Sequence, residues 1–215
     1  MYMLYATRGS GNCFKPFLTL CQLDIAFSVL EVDVLKGETR GEAFRRINPA
    51  GAVPYLVTEE GVGIGESNAM LWLIAEGSHL MPGSALDRAR SLQWMFFEQS
   101  KLEPNISPAR FLGHIAPHLG RGREAEIAAW QDKARAGLAT LDAHLAGHDY
   151  MLGDRYGITD IALYGYVHVG DEAGIDLQAF PSVCTWMERV RQQPGHVPLS
   201  ALCASATPFS SGCAA

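Results

Sequence analysis

The chain has 215 residues, 48% of them apolar and 19% charged, enough for one large or two small hydrophobic cores without disulfide staples. Its formal charge of −6 and isoelectric point near 5.6 argue against a nucleic-acid or anionic-membrane partner, because either demands a basic face. The five cysteines, Cys13, Cys21, Cys184, Cys203 and Cys213, form an odd set with no Cys-x-x-Cys pair, which fits reduced thiols. The first residues lack a signal peptide's basic start and apolar core, and no apolar run approaches the ~20 residues that span a bilayer, so the expected location is cytoplasmic.

In chain order, Met1 to Ala6 reads as a short strand running into the polar, Gly-bearing loop Thr7 to Asn12. Phe14 to Leu23 has helical apolar spacing, and Pro16, tolerated best in a first turn, predicts that regular helix begins near Asn12 or Cys13. Phe27 to Val34 alternates as a strand, Glu42 to Ile47 suits one or two helical turns, and Pro54 to Thr58 suits a strand. A turn from Gly61 to Gly65 leads into a short strand around Val62 and Ile64, and Asn68 to Glu76 reads as a helix. The order β-α-β-α-β-β-α is compatible with a thioredoxin-like sheet. Gly77 to Ala85 marks a linker, and beyond it the spacing is helical throughout: Ala89, Leu92, Met95 and Phe96, then Ile127 to Leu145, Ile158 to Val169 and Val183 to Val190. The expected fold is an α/β thioredoxin-like domain over 1–78, a linker over 79–86 and an all-α helical bundle over 87–205. A poorly ordered tail of Ala, Ser, Gly and Pro is expected over 206–215, and both Cys203 and Cys213 are expected in disordered chain.

Two spaced motifs carry a resemblance. Asn48-Pro49-Ala50-Gly51-Ala52-Val53-Pro54-Tyr55-Leu56, followed by Gly65-Glu66-Ser67-Asn68-Ala69-Met70, resembles the glutathione-site signature of glutathione transferases of the cytosolic type. The resemblance implies a cis Val53–Pro54 bond with the Val53 backbone facing the tripeptide, and a Glu-Ser pair opening the next helix. The residues are consistent with this chemistry. Ser67 at a helix start offers free N–H groups to the γ-glutamyl carboxylate, and Glu66 is placed to take the ammonium. Leu4-Tyr5 through Ser10-Gly11-Asn12-Cys13-Phe14-Lys15 resembles the family's first strand, catalytic loop and first helix in bacterial-like, serine-using, theta-like members. There a Ser in the place of Ser10 hydrogen-bonds the glutathione sulfur.

What such a site must supply can be estimated. A free thiol with pKa near 8.5 is only about 3% thiolate at pH 7, and the thiolate is the nucleophile. A hydroxyl bond to charged sulfur contributes roughly 1.5–3 kcal/mol and a helix N-terminus about 0.3–1 kcal/mol, against about 2.7 kcal/mol for a shift of two pKa units. Asn12 either caps the helix or gives the sulfur a second donor. Cys13 is an alternative nucleophile, competing with the reading of a small buried thiol. Tyr5 reads as structural.

The sequence departs from the family pattern at Ala50 and Ala52, the latter where members often carry Lys or Arg for the glycine carboxylate of glutathione. Lys36 and Arg40 are the candidate replacements, weighed against solvated surface charge. In the helical half, Tyr156-Gly157-Ile158-Thr159-Asp160-Ile161 resembles the family's buried capping box with its side-chain cap missing, and Gln93 to Gln99 with Glu103-Pro104 resembles a bacterial first long helix. The aromatics Trp94, Phe97 and Phe111 read as core or pocket wall. His144 with His148, and His114 with His118, lack a third ligand at useful spacing, so no metal is expected. The implied partners are glutathione, as co-substrate with no bound cofactor, a hydrophobic electrophile and a second copy in a homodimer. Glutathione-dependent disulfide or peroxide reduction and a non-catalytic binding module are the alternatives.

Overall fold

A computed structural model describes residues 1–209, so Cys213 and the expected tail beyond Phe209 lie outside the described residues. The chain divides into two compact units, Met1–Ser78 with the segment from Pro194 onward, and His79–Gln193.

The first unit is built on a five-stranded sheet. Strands β1 (Tyr2–Ala6), β2 (Phe27–Glu31), β3 (Tyr55–Val57), β4 (Gly63–Ile64) and β5 (Thr207–Pro208) lie in the order β4-β3-β1-β2-β5. The β1–β2 and β2–β5 pairs are parallel and the β1–β3 and β3–β4 pairs antiparallel. Helices α1 (Gly11–Gln22), α2 (Glu42–Ile47) and α3 (Ser67–Ala75) complete the unit. Its core holds Leu4, Phe14, Leu18, Phe44, Leu56, Met70 and Leu71, all without exposed surface. The strand expected to reach Val34 stops at Glu31, because the Asp33 carboxylate accepts from the N–H groups of both Leu35 and Lys36 (3.0 Å each) and turns the chain.

Two expectations for the last residues are corrected. Pro194 to Phe209 belongs to the sheet unit rather than to the helical bundle or a disordered tail. Leu202 and Cys203 are buried, Thr207 and Pro208 extend the sheet beyond β2, and the Phe209 ring meets Tyr5 and Phe44 edge-on at 6.3 and 5.7 Å. Arg8 fixes this return, donating to both carboxylate oxygens of Glu31 (3.1 and 3.0 Å) and to the Cys203 carbonyl (3.0 Å). A strand added to an open sheet edge satisfies backbone groups that composition does not report.

The second unit is helical: α4 (Ala85–Phe97), α5 (Glu103–Arg110), α6 (Pro117–Gly120), α7 (Glu124–Leu145), α8 (Ile158–Val167) and α9 (Pro181–Arg191). Single π-helical turns, Glu98–Leu102 and Phe111–Ile115, flank α5. The expected linker is bound into this unit. Leu80 and Met81 are buried, the Leu80 carbonyl accepts from the Ile158 N–H (3.1 Å), and Arg155 donates to the carbonyls of His79 and Met81. On α4, Met95 and Ser91 are buried, whereas Leu92 and Phe96 stand 40% and 70% exposed. Among the described residues no helix is long and apolar enough to cross a membrane.

Candidate functional site

Sheet topology alone gathers three of the predicted segments. β3 runs antiparallel to β1 and to β4, so the end of β1, the start of β3 and the end of β4 lie at one end of the sheet's strands. Those termini lead respectively to Ser10, from Val53, and to Glu66 and Ser67.

Ser10 is the N-cap of α1, with extended backbone and its Oγ accepting from the Cys13 N–H at 3.2 Å. The helix thus starts at Gly11, earlier than Pro16 led one to expect, and Pro16 sits in its second turn, where it brings no N–H to the Asn12 carbonyl. Ser10 is half-buried, and its hydroxyl proton is not consumed by the cap, since a hydroxyl both accepts and donates. Asn12 is therefore not the cap. Its Oδ1 accepts from Lys15 Nζ at 3.0 Å and from Ser67 Oγ at 3.1 Å.

The alternative nucleophile is corrected. Cys13 has no exposed surface, its sulfur accepts from the Thr7 N–H at 3.5 Å, and burial pushes its thiol up to about 11 despite the Ser10 bond. A thiol in that state supplies almost no thiolate at neutral pH. Cys203, beside Arg8, is likewise pushed up to about 12, chiefly by burial.

Val53–Pro54 is cis. The loop before it is shaped by Asn48, which is buried. Its Nδ2 donates to the Ala52 carbonyl (2.7 Å) and its Oδ1 accepts from the Ala50 N–H (3.1 Å). Glu66, exposed, takes φ 61° and ψ 113°, a backbone region that costs a non-glycine residue about 1–3 kcal/mol and tends to persist at ligand sites. Ser67 follows as the first residue of α3, not as its cap, and is nearly buried at 6% exposure. The replacement cations stand apart in kind. Lys36 is exposed and paired with Asp33 at 3.0 Å, whereas Arg40 is exposed and folds back over Gly37.

The chain resembles proteins of known family. Residues 9–76 match the model for the glutathione S-transferase N-terminal domain, and residues 102–194 match that for the C-terminal domain. A glutathione S-transferase structure from Pseudomonas fluorescens Pf-5 is 40% identical, with TM-score 0.89, over 92% of this chain and 98% of that one. A possible glutathione S-transferase from Rhodopseudomonas palustris is 42% identical, with TM-score 0.89, over 93% and 90%. The chain belongs to the glutathione S-transferase family. Among curated relatives, the disulfide-bond oxidoreductase YfcG of Escherichia coli K12 is 28% identical over 89% of this chain and 90% of its own length.

In this transferase-family chain, sequence reasoning missed two residues. Lys15, the one charged residue of α1, is wholly buried and bonded to Asn12. Arg45 on α2 lies against the Val53 loop. A Cβ built on Gly51 would stand 2.9 Å from the Thr39 carbonyl oxygen, so glycine at φ 62° is what lets the loop approach that carbonyl, and Arg45 Nε stands at contact distance, 3.5 Å, from the same position. The available signal for Arg45 was the pair Gly51-Ala52, two residues too small to cover a neighbouring side chain.

The helical unit holds its own polar knot. Asp160 is completely buried, accepting from the N–H groups of Met151 (2.9 Å) and Gly157 (3.0 Å) and from Trp186 Nε1 (2.8 Å). Burial pushes its carboxyl up to about 6, with those donors pulling the other way. The missing side-chain cap at Gly157 has a steric reason: a Cβ there would stand 2.6 Å from the Leu80 carbonyl oxygen. Trp94 packs edge-on against Phe97 and tilted against His144, and His144 stacks on His148. Among the described residues no three His, Cys, Asp or Glu side chains group as metal ligands.

Proposed function

We propose that this family member transfers the glutathione thiolate to a hydrophobic electrophile. The observation that carries the reading is the half-buried Ser10 hydroxyl at the N-terminus of α1, beside a thiol that is itself sealed in the core. In this reading Ser10 donates to the sulfur and Asn12 supplies a second donor. The Val53 backbone, set by Pro54, pairs with the tripeptide, and Glu66 and the opening of α3 at Ser67 take the γ-glutamyl ammonium and carboxylate. Arg45, rather than Lys36 or Arg40, meets the glycine carboxylate. The sulfur attacks the electrophilic carbon, the carbon–sulfur bond forms as the leaving group departs, and the thiol proton has already gone to solvent.

The chain acts as a homodimer in this reading, supported by the uncovered Leu92 and Phe96 on α4. The decisive experiment is turnover of a chromogenic aryl halide with glutathione. Ser10→Ala is expected to lose about a hundredfold in kcat while glutathione still binds by calorimetry, whereas full activity in that variant would refute the assignment.

The likeness to a disulfide-bond oxidoreductase favours one alternative, attack of glutathione thiolate on a mixed disulfide to give oxidised glutathione and a free thiol. With Cys13 buried, that chemistry would run on glutathione sulfur alone. Fast turnover of a mixed disulfide with negligible conjugation would select it. Absence of glutathione binding at millimolar concentration would leave only a non-catalytic module.

A further inference from the structure

The loop between α2 and β3 carries the Val53 backbone, yet its own side chains give it little hold. Pro49, Ala50 and Ala52 are exposed, and alanine has only a methyl group to pack. Among the described residues, the N–H and C=O of Val53 make no hydrogen bond. A segment held neither by packing nor by pairing samples many conformations, and a ligand that must fix it loses affinity to that ordering.

One buried residue supplies the missing hold. Asn48 is 5% exposed, and its own N–H donates to the carbonyl of Phe44 (2.8 Å), a core residue of α2. From that anchor it binds the loop three times: its carbonyl accepts from the Gly51 N–H (2.9 Å), its Oδ1 accepts from the Ala50 N–H (3.1 Å), and its Nδ2 donates to the Ala52 carbonyl (2.7 Å). The partners fix the amide orientation, because a backbone N–H only donates and a carbonyl only accepts. The third bond reaches furthest toward the site. The Ala52 carbonyl and the Val53 N–H belong to one planar trans peptide unit, in which C=O and N–H point in opposite directions. Holding that carbonyl against Asn48 therefore aims the Val53 N–H away from Asn48.

We propose that Asn48 is a positioning residue, whose amide holds the Ala52 carbonyl so that the Val53 N–H is presented to the tripeptide. The inference rests on the reading that the Val53 backbone pairs with glutathione. It assigns the order of that edge to one buried side chain and gives Asn48 a role in binding, with none at the sulfur.

The test is calorimetric binding of two ligands to the full chain, reduced glutathione and its analogue methylated on the cysteinyl amide nitrogen. The cysteinyl residue has both its N–H and its C=O in amide groups, so it is the one that can exchange two bonds with Val53. The methyl group removes one of those bonds and holds the ligand off the other. The wild-type chain is expected to bind the analogue at least about tenfold more weakly than glutathione. Asn48→Ala is expected to weaken glutathione about tenfold and leave the analogue nearly unchanged, with kcat for an aryl halide at saturating glutathione within about twofold. Asn48→Ser, whose hydroxyl can accept from the Ala50 N–H but is too short for the Ala52 carbonyl, is expected to lose as much, and it serves as the probe if Asn48→Ala does not fold. Equal weakening of both ligands, a matching fall in kcat, or full glutathione affinity in Asn48→Ser overturns the proposal in favour of a general structural role. A wild-type chain that binds both ligands equally well removes the Val53 reading and this inference with it. A wild-type preference for glutathione that Asn48→Ala keeps in full removes this inference alone.

Discussion

In the helical unit, the Asp160 carboxylate collects three N–H donors and is shut away from solvent. At the start of α1, the Asn12 carboxamide collects two donors on its oxygen but stays half-exposed, between a buried lysine and a half-buried serine. Both are polar knots that tie segments distant in sequence, Met151 to Trp186 in one and Asn12 to Ser67 in the other. The closed knot has its acceptor capacity taken up by backbone and indole, and its consequence is stability. The open knot keeps a strained neighbour, Glu66, at the end of the sheet where three segments meet, and in the proposed reading its consequence is binding.

Breaking the closed knot should give the largest effect on folding and none on binding. Asp160→Asn keeps one acceptor oxygen but turns an amide toward N–H donors, so a loss of about 2–3 kcal/mol is expected in denaturant unfolding. Glutathione affinity of the folded variant should be unchanged. A variant as stable as the parent would show that the three donors find other partners.

The same knot has a pH signature opposed by a second buried group. The Asp160 carboxyl is raised from 3.8 to about 6 by burial, so the folded state holds its proton longer than the unfolded one. Its stabilising contribution is present below pH 3.8 and is lost as pH rises through about 6. His168, stacked on Tyr164, is lowered by burial from 6.5 to about 4, so its contribution is present above 6.5 and is lost as pH falls through about 4. The two slopes oppose each other across the shared window, each amounting to roughly 3 kcal/mol at most. Against the parent, Asp160→Asn should unmask loss of stability on acidification from pH 6 to 4, and His168→Gln the reverse slope. Parallel pH–stability curves for all three proteins would count against both assignments.

The open knot is sharpened by a smaller effect at its border. Arg45→Gln should raise glutathione KM about three- to tenfold with kcat nearly constant, since the guanidinium is assigned to binding rather than to the sulfur. The same substitution at Lys36, already paired with Asp33, should change neither constant measurably. A kcat loss in Arg45→Gln would move that residue into the reacting half of the site.

Much of the sheet unit could be read from residue order, since β1, α1, β3 and the opening of α3 follow from local alternation, helical apolar spacing and prolines. The site motifs could be read for the same reason: Ser10, Val53-Pro54 and Glu66-Ser67 each sit at an element boundary, where backbone geometry restricts which residues fit. Pairing was not legible there. That Asn12 meets Ser67 and Lys15, that Arg45 lies over Gly51, and that Cys13 is sealed are consequences of packing α1 and α2 onto the rest of their unit.

The chain's last segment marks the boundary most clearly. By itself the sequence determined the helical and extended elements, the place of the glutathione motifs and the apolar content that fills two cores, because periodicity and local chemistry act over a few residues. Only the tertiary structure decided that Pro194 to Phe209 returns to the sheet, burying Leu202 and pairing Thr207 with Leu30. It likewise decided that Gly157 must lack a side chain, because of the Leu80 carbonyl. Both depend on groups brought together from far along the chain, and a strand edge or a carbonyl oxygen leaves no trace in the composition of the segment that will cover it.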